Sequence, residues 1–543
     1  MSAPILKIRD LTIRTTGQLK NRTVLDGISF DINPGETLCV VGESGSGKSV
    51  TALSIMGLLP RGALAPTGGS ILLEGEDVLQ ASPERLRALR ATRMAMVFQE
   101  PMTALNPVER VGKQIDEVLQ THGGLSQAER REQVLAMLEA VHLPNPAAIY
   151  DAYPHQLSGG QRQRIIISMA LILRPKLMIA DEPTTALDVT TQRQILSLIR
   201  ELQKKLNTAV MFVTHDFGVV QEIADRIVVM HHGRIVEAGD REQILARPKE
   251  PYTRMLVSSV PSLIPLKRPP PDGASVLDVV AMNKTYSEKR LFRRGRVVWA
   301  AQDVGLTLRR GEIAGIVGES GSGKSTVARC IVRLIDPDSG AIRVGGEDIA
   351  RASRRRLRPM RRRVQIVFQD PYRSLNPRLP VGDSLVEGLV NFGSPRAAAL
   401  AKARQMLQFV GLDTDIMHRF PHQFSGGQRQ RLCIARALAI EPDILVADEA
   451  VSALDVSVQA QVLRLLEDIR VKTGIAVLFI THDLRVAAQI CDTIMVMQEG
   501  RIVEAGPAAS VLIAPKEDYT RALIEAAPGR NWDFQNFRPA NGR

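Results

Sequence analysis

Aromatic side chains make up only 4% of the 543 residues, with 2 Trp, 6 Tyr and 13 Phe. A surface of rings for stacking nucleic-acid bases is therefore not indicated. Cysteine is scarcer still. The four (Cys39, Cys330, Cys433 and Cys491) lie far apart in apolar segments. They lack the close spacings of a zinc site, an iron–sulfur site or a disulfide scaffold, and are expected to pack in cores. No eighteen apolar residues run together, so no spanning helix is expected. The opening Met-Ser-Ala-Pro-Ile-Leu-Lys-Ile-Arg has no basic start followed by an apolar core, so no secretory signal is read there. The expectation is a cytosolic chain.

Positive charge, by contrast, is in excess: 70 Lys and Arg against 58 Asp and Glu give a net charge of +12. Residues 351–363 hold eight arginines and no acid, and residues 288–296 form a second basic cluster. Such runs read first as solvated faces, next as surfaces for an anionic membrane or membrane partner, and least as nucleic-acid sites.

The octapeptide Gly-Glu-Ser-Gly-Ser-Gly-Lys-Ser occurs twice. It is formed by Gly42, Glu43, Ser44, Gly45, Ser46, Gly47, Lys48 and Ser49, and again by Gly318, Glu319, Ser320, Gly321, Ser322, Gly323, Lys324 and Ser325. The pattern G-x-x-x-x-G-K-[ST] supplies glycines where backbone must bend with positive φ and approach a polyanion. It also supplies a lysine for the β/γ-phosphates and a hydroxyl for Mg²⁺. Each copy follows a buried-strand run (37–41; 313–317) and precedes a helical stretch (50–58; 326–334). That order aims unpaired amide hydrogens and the positive end of the helix dipole at the phosphates.

The repeat divides the chain into a first domain over 1–257, a proline-rich linker over 258–275, a second domain over 276–526 and a tail over 527–543. Short apolar strands alternate with helix-period stretches in each domain, as in a largely parallel sheet faced by helices. Strand-like runs vanish between Gln99 and Ser158. That interval, with 115–119 and 127–141, reads as an inserted helical subdomain, repeated by 382–389 and 397–410.

Two apolar runs end in adjacent carboxylates, Asp181-Glu182 and Asp448-Glu449. They lie at a strand's C-terminal end, where ligands collect in open α/β sheets. The aspartate suits the Mg²⁺ of a nucleotide, and the glutamate suits the attacking water. A Ser-Gly-Gly-Gln turn precedes a long helix in each domain, as Ser158, Gly159, Gly160 and Gln161, and as Ser425, Gly426, Gly427 and Gln428. Each is a second anion-binding helix start.

Together these segments closely resemble those of the ATP-binding cassette (ABC) ATPases, over nearly the whole chain. The resemblance implies an α/β fold of two tandem P-loop NTPase domains, each with a parallel-sheet core and an inserted helical subdomain. It implies ATP and Mg²⁺ as cofactors, and head-to-tail pairing in which residues 425–428 complete the site of loop 42–49, and residues 158–161 that of loop 318–325. Gln99 and Gln369 resemble the glutamines that sense Mg²⁺ and contact the membrane subunit, which gives metal sets of Ser49, Gln99 and Asp181, and of Ser325, Gln369 and Asp448. His215 and His482 resemble the γ-phosphate switch histidines beside the catalytic Glu182 and Glu449. The Ala-Leu-Asp segments ending at Asp188 and Asp455 resemble the dimer-contact loop. Tyr286 matches the adenine-stacking aromatic of the second domain, whereas counting back in the first reaches Thr15, in a stretch with no aromatic. His155, His422, His231 and His232 have no such match and are read as surface or packing residues. Ala450 stands where the first domain has Pro183.

The segments Pro251-Tyr-Thr-Arg254 and Asp518-Tyr-Thr-Arg521, with the Leu-Asn-Pro segments ending at Pro107 and Pro377, resemble the peptide and nickel importer branch. More narrowly, the chain looks like the fused ATPases of dipeptide, glutathione and microcin-type peptide importers. That implies an energy-coupling ATPase on the cytoplasmic face of a bacterial inner membrane. Its partners would be two permease subunits and, through them, a periplasmic solute-binding protein, with no nucleic acid. The alternatives are a soluble tandem cassette protein acting on ribosomes or DNA, and an importer of nickel or another small solute. A fused sugar-importer ATPase fits less well, since the second loop is intact here. The cargo is chosen by the permeases and binding protein, so this chain does not name it.

Overall fold

The computed structural model describes residues 3–17, 22–98, 104–184, 187–266, 268–269, 271–287, 297–452 and 454–540. The chain forms two units, Met1–Val260 with Asn531–Arg543, and Pro261–Arg530.

The strands of unit 1 are β1 (Leu6–Thr15), β2 (Thr23–Ile32), β3 (Thr37–Val41), β4 (Leu64–Leu73), β5 (Glu76–Asp77), β6 (Met94–Val97), β7 (Leu177–Asp181), β8 (Ala209–Val213), β9 (Arg226–His231) and β10 (Arg234–Asp240). A four-stranded antiparallel sheet runs β2-β1-β4-β5, and a six-stranded sheet runs β10-β9-β3-β8-β7-β6. The larger sheet is parallel except at its β10 edge. Strands β3, β7 and β8 are buried along their whole length. Their unbroken apolar runs leave no polar face, which suits a strand covered on both sides. Pairing sets Val40 opposite Val213 and Val213 opposite Asp181. The end of β3, where the first phosphate loop starts, therefore lies level with the first acidic pair.

Between β6 and β7 the chain forms the two expected helices, Val111–His122 and Gln127–Ala140, and a third, Pro146–Asp151. The first buries Val111, Ile115 and Leu119, one stripe at helical spacing. The second starts at a capping box in which Ser126 and Glu129 satisfy each other's backbone N–H groups.

Unit 2 repeats this plan with β11 (Ser275–Ser287), β12 (Val297–Arg309), β13 (Ile313–Val317), β14 (Ser339–Val344), β15 (Glu347–Asp348), β16 (Val364–Val367), β17 (Ile444–Asp448), β18 (Ala476–Thr481), β19 (Thr493–Gln498) and β20 (Arg501–Pro507). Its sheets are ordered β12-β11-β14-β15 and β16-β17-β18-β13-β19-β20. Val317 pairs with Thr481, and Asp448 with Ile480. Helices Val381–Asn391 and Arg396–Phe409 repeat the insertion.

Most of the arginine run lies on the helix Arg354–Arg363, where only Leu357 is buried. Arg363 pairs with Asp443 at 2.6 Å, and Arg358 donates to the Asn391 carbonyl at 2.8 Å. The other basic cluster lies outside the described residues. All four cysteines are free and buried, as their apolar surroundings predict. Burial pushes the Cys330 and Cys433 thiols up to about 11. Among the described residues no helix is long and apolar enough to cross a membrane.

Of the stretch read as a linker, Ser258 ends the helix Pro251–Ser258 and residues up to Val260 belong to unit 1, whereas its described residues from Pro261 on belong to unit 2. Gln489 donates to the Ser262 and Ile264 carbonyls, and Arg268 pairs with Glu467 and Asp492 at 3.0 and 3.4 Å. The end of the chain belongs to unit 1. There Trp532–Asp533 pairs with Arg538–Pro539, and a short helix between them buries Phe534 against the helix Pro251–Ser258.

Candidate nucleotide sites

Each loop leaves its strand through a glycine that no other residue could replace. Gly42 has φ 150°, and a Cβ there would lie 2.3 Å from the Met230 carbonyl oxygen; for Gly318 the values are 153° and 2.2 Å from Met497. Both the backbone angle and the close approach exclude a side chain. The lysine at the helix start then turns back over the loop. Lys48 Nζ donates to the Gly42 and Glu43 carbonyls at 2.7 and 2.9 Å, and Lys324 Nζ donates to those of Gly318 and Glu319 at 2.9 and 2.7 Å. Both lysines are almost fully buried. The hydroxyls of Ser46 and Ser322 are buried without a hydrogen-bond partner, one in each loop. A buried hydroxyl facing a polyanion gains what it otherwise lacks, so the loop chemistry fits phosphate.

The acidic pairs sit beside the loops. Ser49 Oγ donates to Asp181 Oδ1 at 3.2 Å, and Ser325 Oγ to Asp448 Oδ1 at 2.9 Å. Burial pushes both aspartate carboxyls above the usual range, against the serine hydrogen bonds. The following glutamates hold strained backbone, with φ of 47° at Glu182 and 48° at Glu449. Non-glycine residues rarely adopt that region, and such strain concentrates at functional sites. It turns each side chain toward a histidine: His215 Nδ1 lies 3.0 Å from Glu182 Oε1, and His482 Nδ1 lies 3.5 Å from Glu449 Oε1. Gln369 Nε2 donates to the other oxygen of Glu449 at 2.8 Å. Gln99 lies outside the described residues.

For Glu449, burial would raise the carboxyl from its ordinary 4.5, but the His482 hydrogen bond and charge, with Lys324, hold it below that value. Burial would lower His482 from 6.5, but Glu449 holds it above. A depressed carboxyl contributes stability above pH 4.5 that is lost as pH falls through its folded value. A raised histidine contributes stability below pH 6.5 that is lost as pH rises through its folded value. Both contributions are therefore complete only between these limits. His482→Gln is expected to cost up to about 1 kcal/mol inside that window, as for a partly exposed ion pair, and less on either side. Thermal melts of the two proteins across pH check this; a melting difference that does not vary with pH would contradict it.

Ser158 and Ser425 cap the helices Gly159–Leu171 and Gly426–Leu438, each in a capping box with the glutamine three residues on, Gln161 or Gln428, and both serines are exposed. Gly160 and Gly427 let these helices close on the next ones. A Cβ there would meet Thr191 at 2.5 Å or Val458 at 2.2 Å. Asp188 caps the helix Val189–Leu206 by accepting from the Thr191 N–H, and Asp455 stands at the start of Val456–Thr473. Thr185, Ala186 and Ala453 lie outside the described residues. Tyr286 is exposed at the end of β11, with Lys284 Nζ 5.8 Å from its ring. Thr15, its counterpart by counting, exchanges hydrogen bonds with Arg22.

One contact to each loop was not read from the sequence. Tyr252 and Tyr519 accept the backbone N–H of Glu43 and Glu319. The sequence signal for them is the repeated Tyr-Thr-Arg at 252–254 and 519–521, which by itself does not say what the tyrosine meets. His231, read as a surface or packing residue, stacks on Tyr252 with ring centroids 3.8 Å apart.

The ABC transporter family profile matches residues 25–185 and 301–452, and a profile described as oligopeptide/dipeptide transporter, C-terminal region, matches residues 236–293. An uncharacterized ABC transporter ATP-binding protein, YejF of Escherichia coli (strain K12), is 44% identical over 532 residues, which cover 96% of this chain and 99% of that protein. The peptidoglycan transport ATP-binding protein YejF of Agrobacterium fabrum is 45% identical over 532 residues, covering 96% of each. The glutathione import ATP-binding protein GsiA of Shigella dysenteriae is 45% identical over 557 residues, covering 96% of this chain and 89% of that protein. With identity at this level along nearly the full length of each, the chain belongs to the ABC transporter family, as a fused tandem ATP-binding protein that hydrolyses ATP.

Proposed function

We propose that this chain is the energy-coupling ATPase of a bacterial inner-membrane importer for di- or oligopeptides, or related small peptides such as glutathione. The observation that carries the reading is the intact pairing of glutamate with histidine beside a complete phosphate loop in both units. Kinship to peptidoglycan and glutathione transport proteins, and the oligopeptide/dipeptide match over 236–293, support the cargo class.

In this mechanism the backbone N–H groups of residues 42–49 and 318–325 bind the phosphates, and Lys48 and Lys324 turn from loop carbonyls to neutralise them. Glu182 and Glu449 take the proton of the attacking water at a carboxylate oxygen. His215 and His482 orient that carboxylate and sense the γ-phosphate. Mg²⁺ fits the donors Ser49 and Asp181, and Ser325 and Asp448, with Gln99 and Gln369 beside them; bound there, it would offset charge on the β- and γ-phosphates. The buried aspartates, whose charged forms are disfavoured by desolvation, suit a cation. Ser158–161 and Ser425–428 bind nucleotide through their helix starts, and Tyr286 stacks on adenine. Two permeases dock at the Gln99 and Gln369 segments, which holds the chain to the cytoplasmic face of the membrane, and a loaded periplasmic binding protein stimulates turnover.

The chain is expected to co-purify from membranes with two permeases, and loss of its gene to abolish most uptake of a labelled small peptide. Fractionation with ribosomes or DNA, with peptide uptake intact, would overturn the importer reading.

A further inference from the structure

The contact between a tyrosine and the phosphate loop is made twice, by segments that lie outside every nucleotide motif. Tyr252, on the helix Pro251–Ser258, accepts the Glu43 N–H at 3.3 Å and donates to the Glu43 carboxylate at 3.4 Å. Tyr519, on the helix Asp518–Ala526, accepts the Glu319 N–H at 3.3 Å. The amide concerned belongs to the peptide plane joining residues 42 and 43, or 318 and 319. The carbonyl of that same plane accepts the loop lysine, at 2.7 Å from Lys48 and 2.9 Å from Lys324. One peptide group is thus held at both ends, by lysine and by phenol, and it follows the glycine whose freedom would otherwise let it turn over.

The helices that carry the tyrosines are themselves tied down in the same way in both units. Glu237, on β10, accepts the N–H groups of Lys249 and Glu250 at 2.9 and 3.2 Å, and Glu504, on β20, accepts those of Lys516 and Glu517 at 2.9 and 3.2 Å. Arg254 donates back to the Pro248 carbonyl at 2.8 Å, and Arg521 to the Pro515 carbonyl at 3.4 Å. The repeated Pro-Lys-Glu-x-Tyr-Thr-Arg is therefore a built bracket. Its glutamate-held start and arginine-held turn fix the tyrosine against the loop.

We propose that Tyr252 and Tyr519 are positioning residues for the ATPase reaction. Each hydroxyl holds the entrance peptide of its phosphate loop in the nucleotide-accepting orientation when the lysine turns from that peptide's carbonyl to the phosphates. Neither touches the reacting atoms. Their loss weakens capture of the phosphates and leaves the hydrolytic groups in place, so KM moves and kcat does not.

The test uses the full-length chain with Tyr252→Phe and Tyr519→Phe combined, which keeps both rings and their packing. KM for ATP is expected to rise about two- to tenfold, the effect of losing one ordinary hydrogen bond per site, with kcat within about twofold and ADP affinity falling in parallel. The leucine variants, which also remove the rings, should show at least the same rise. A KM that moves by less than twofold in the phenylalanine protein, or a kcat that falls as far as KM rises, overturns the proposal. So does a KM rise confined to the leucine variants, which would leave the ring alone as the working part.

Discussion

Lys48→Ala is expected to lower the ATPase rate of the whole chain about a hundredfold or more, and Lys324→Ala to do the same. The lysines are nearly fully buried, at 6% and 4% exposure, so the charge each brings to the phosphates acts in a poorly screened setting. Alanine also removes the lysine hydrogen bonds to the Gly42 and Glu43 carbonyls, leaving that of Glu43 with the Ser46 N–H, which loosens the loop as well as removing the charge. The single variants carry the information. Two independent units would leave about half of the rate when one lysine is lost, because the other unit would turn over normally. Units that must both bind ATP before either hydrolyses would leave almost none. Steady-state phosphate release from each purified variant separates the two cases, and a single variant retaining half of the activity would mean that the units work apart.

The parts of these sites that could be read from sequence are those whose chemistry is local. The phosphate loop dictates its glycines through backbone angles at Gly42 and Gly318, and its strand and helix are adjacent in the chain, so eight residues announce the structure. Asp181 and Asp448 are legible because each closes an apolar strand run, and ligands in open α/β sheets collect at the C-terminal ends of the strands. The helical insertions were legible from the loss of strand-like runs between Gln99 and Ser158, and the first of them buries Val111, Ile115 and Leu119 at helical spacing. Contacts set by the path of the chain were not legible. Tyr252 and Glu43 are 209 residues apart, and Tyr519 and Glu319 are 200 apart; nothing in an isolated Tyr-Thr-Arg says which surface its helix meets. The positive φ of Glu182 and Glu449 was hidden for a different reason. Glutamate has no preference for that region, so the strain is imposed by neighbours, through the Glu182 N–H bonding the Val213 carbonyl and the Glu449 N–H that of Ile480. The linker showed proline but not its anchors, because Gln489, Glu467 and Asp492 lie some two hundred residues further along.

Glu182→Gln combined with Glu449→Gln is expected to yield a protein that binds ATP and keeps it. Glutamine has nearly the same shape and can still hydrogen-bond His215 or His482, so the strained turns and the loops should persist. The amide cannot accept the proton of an attacking water. General-base removal of this kind costs about a hundred- to ten-thousandfold in rate. Lys48, Lys324, Asp181 and Asp448 are untouched, so the binding half of the site remains. The contrast with the lysine variants is the point: those lose the charge that holds the phosphates, whereas the glutamine pair loses only the step that consumes them. Gel filtration after incubation with labelled ATP and Mg²⁺ reads the difference directly. The double glutamine protein should elute with unhydrolysed ATP and the lysine variants with much less. Because Gln369 donates to Glu449 at 2.8 Å, Glu449→Gln can repel that donor unless its amide turns its oxygen toward it. The single Glu449→Gln variant should therefore be compared with Glu449→Asp, which keeps the charge but shortens the reach. If the double glutamine protein hydrolyses ATP at the rate of the unaltered chain, neither glutamate is the base, and the strained turn at each must serve another end.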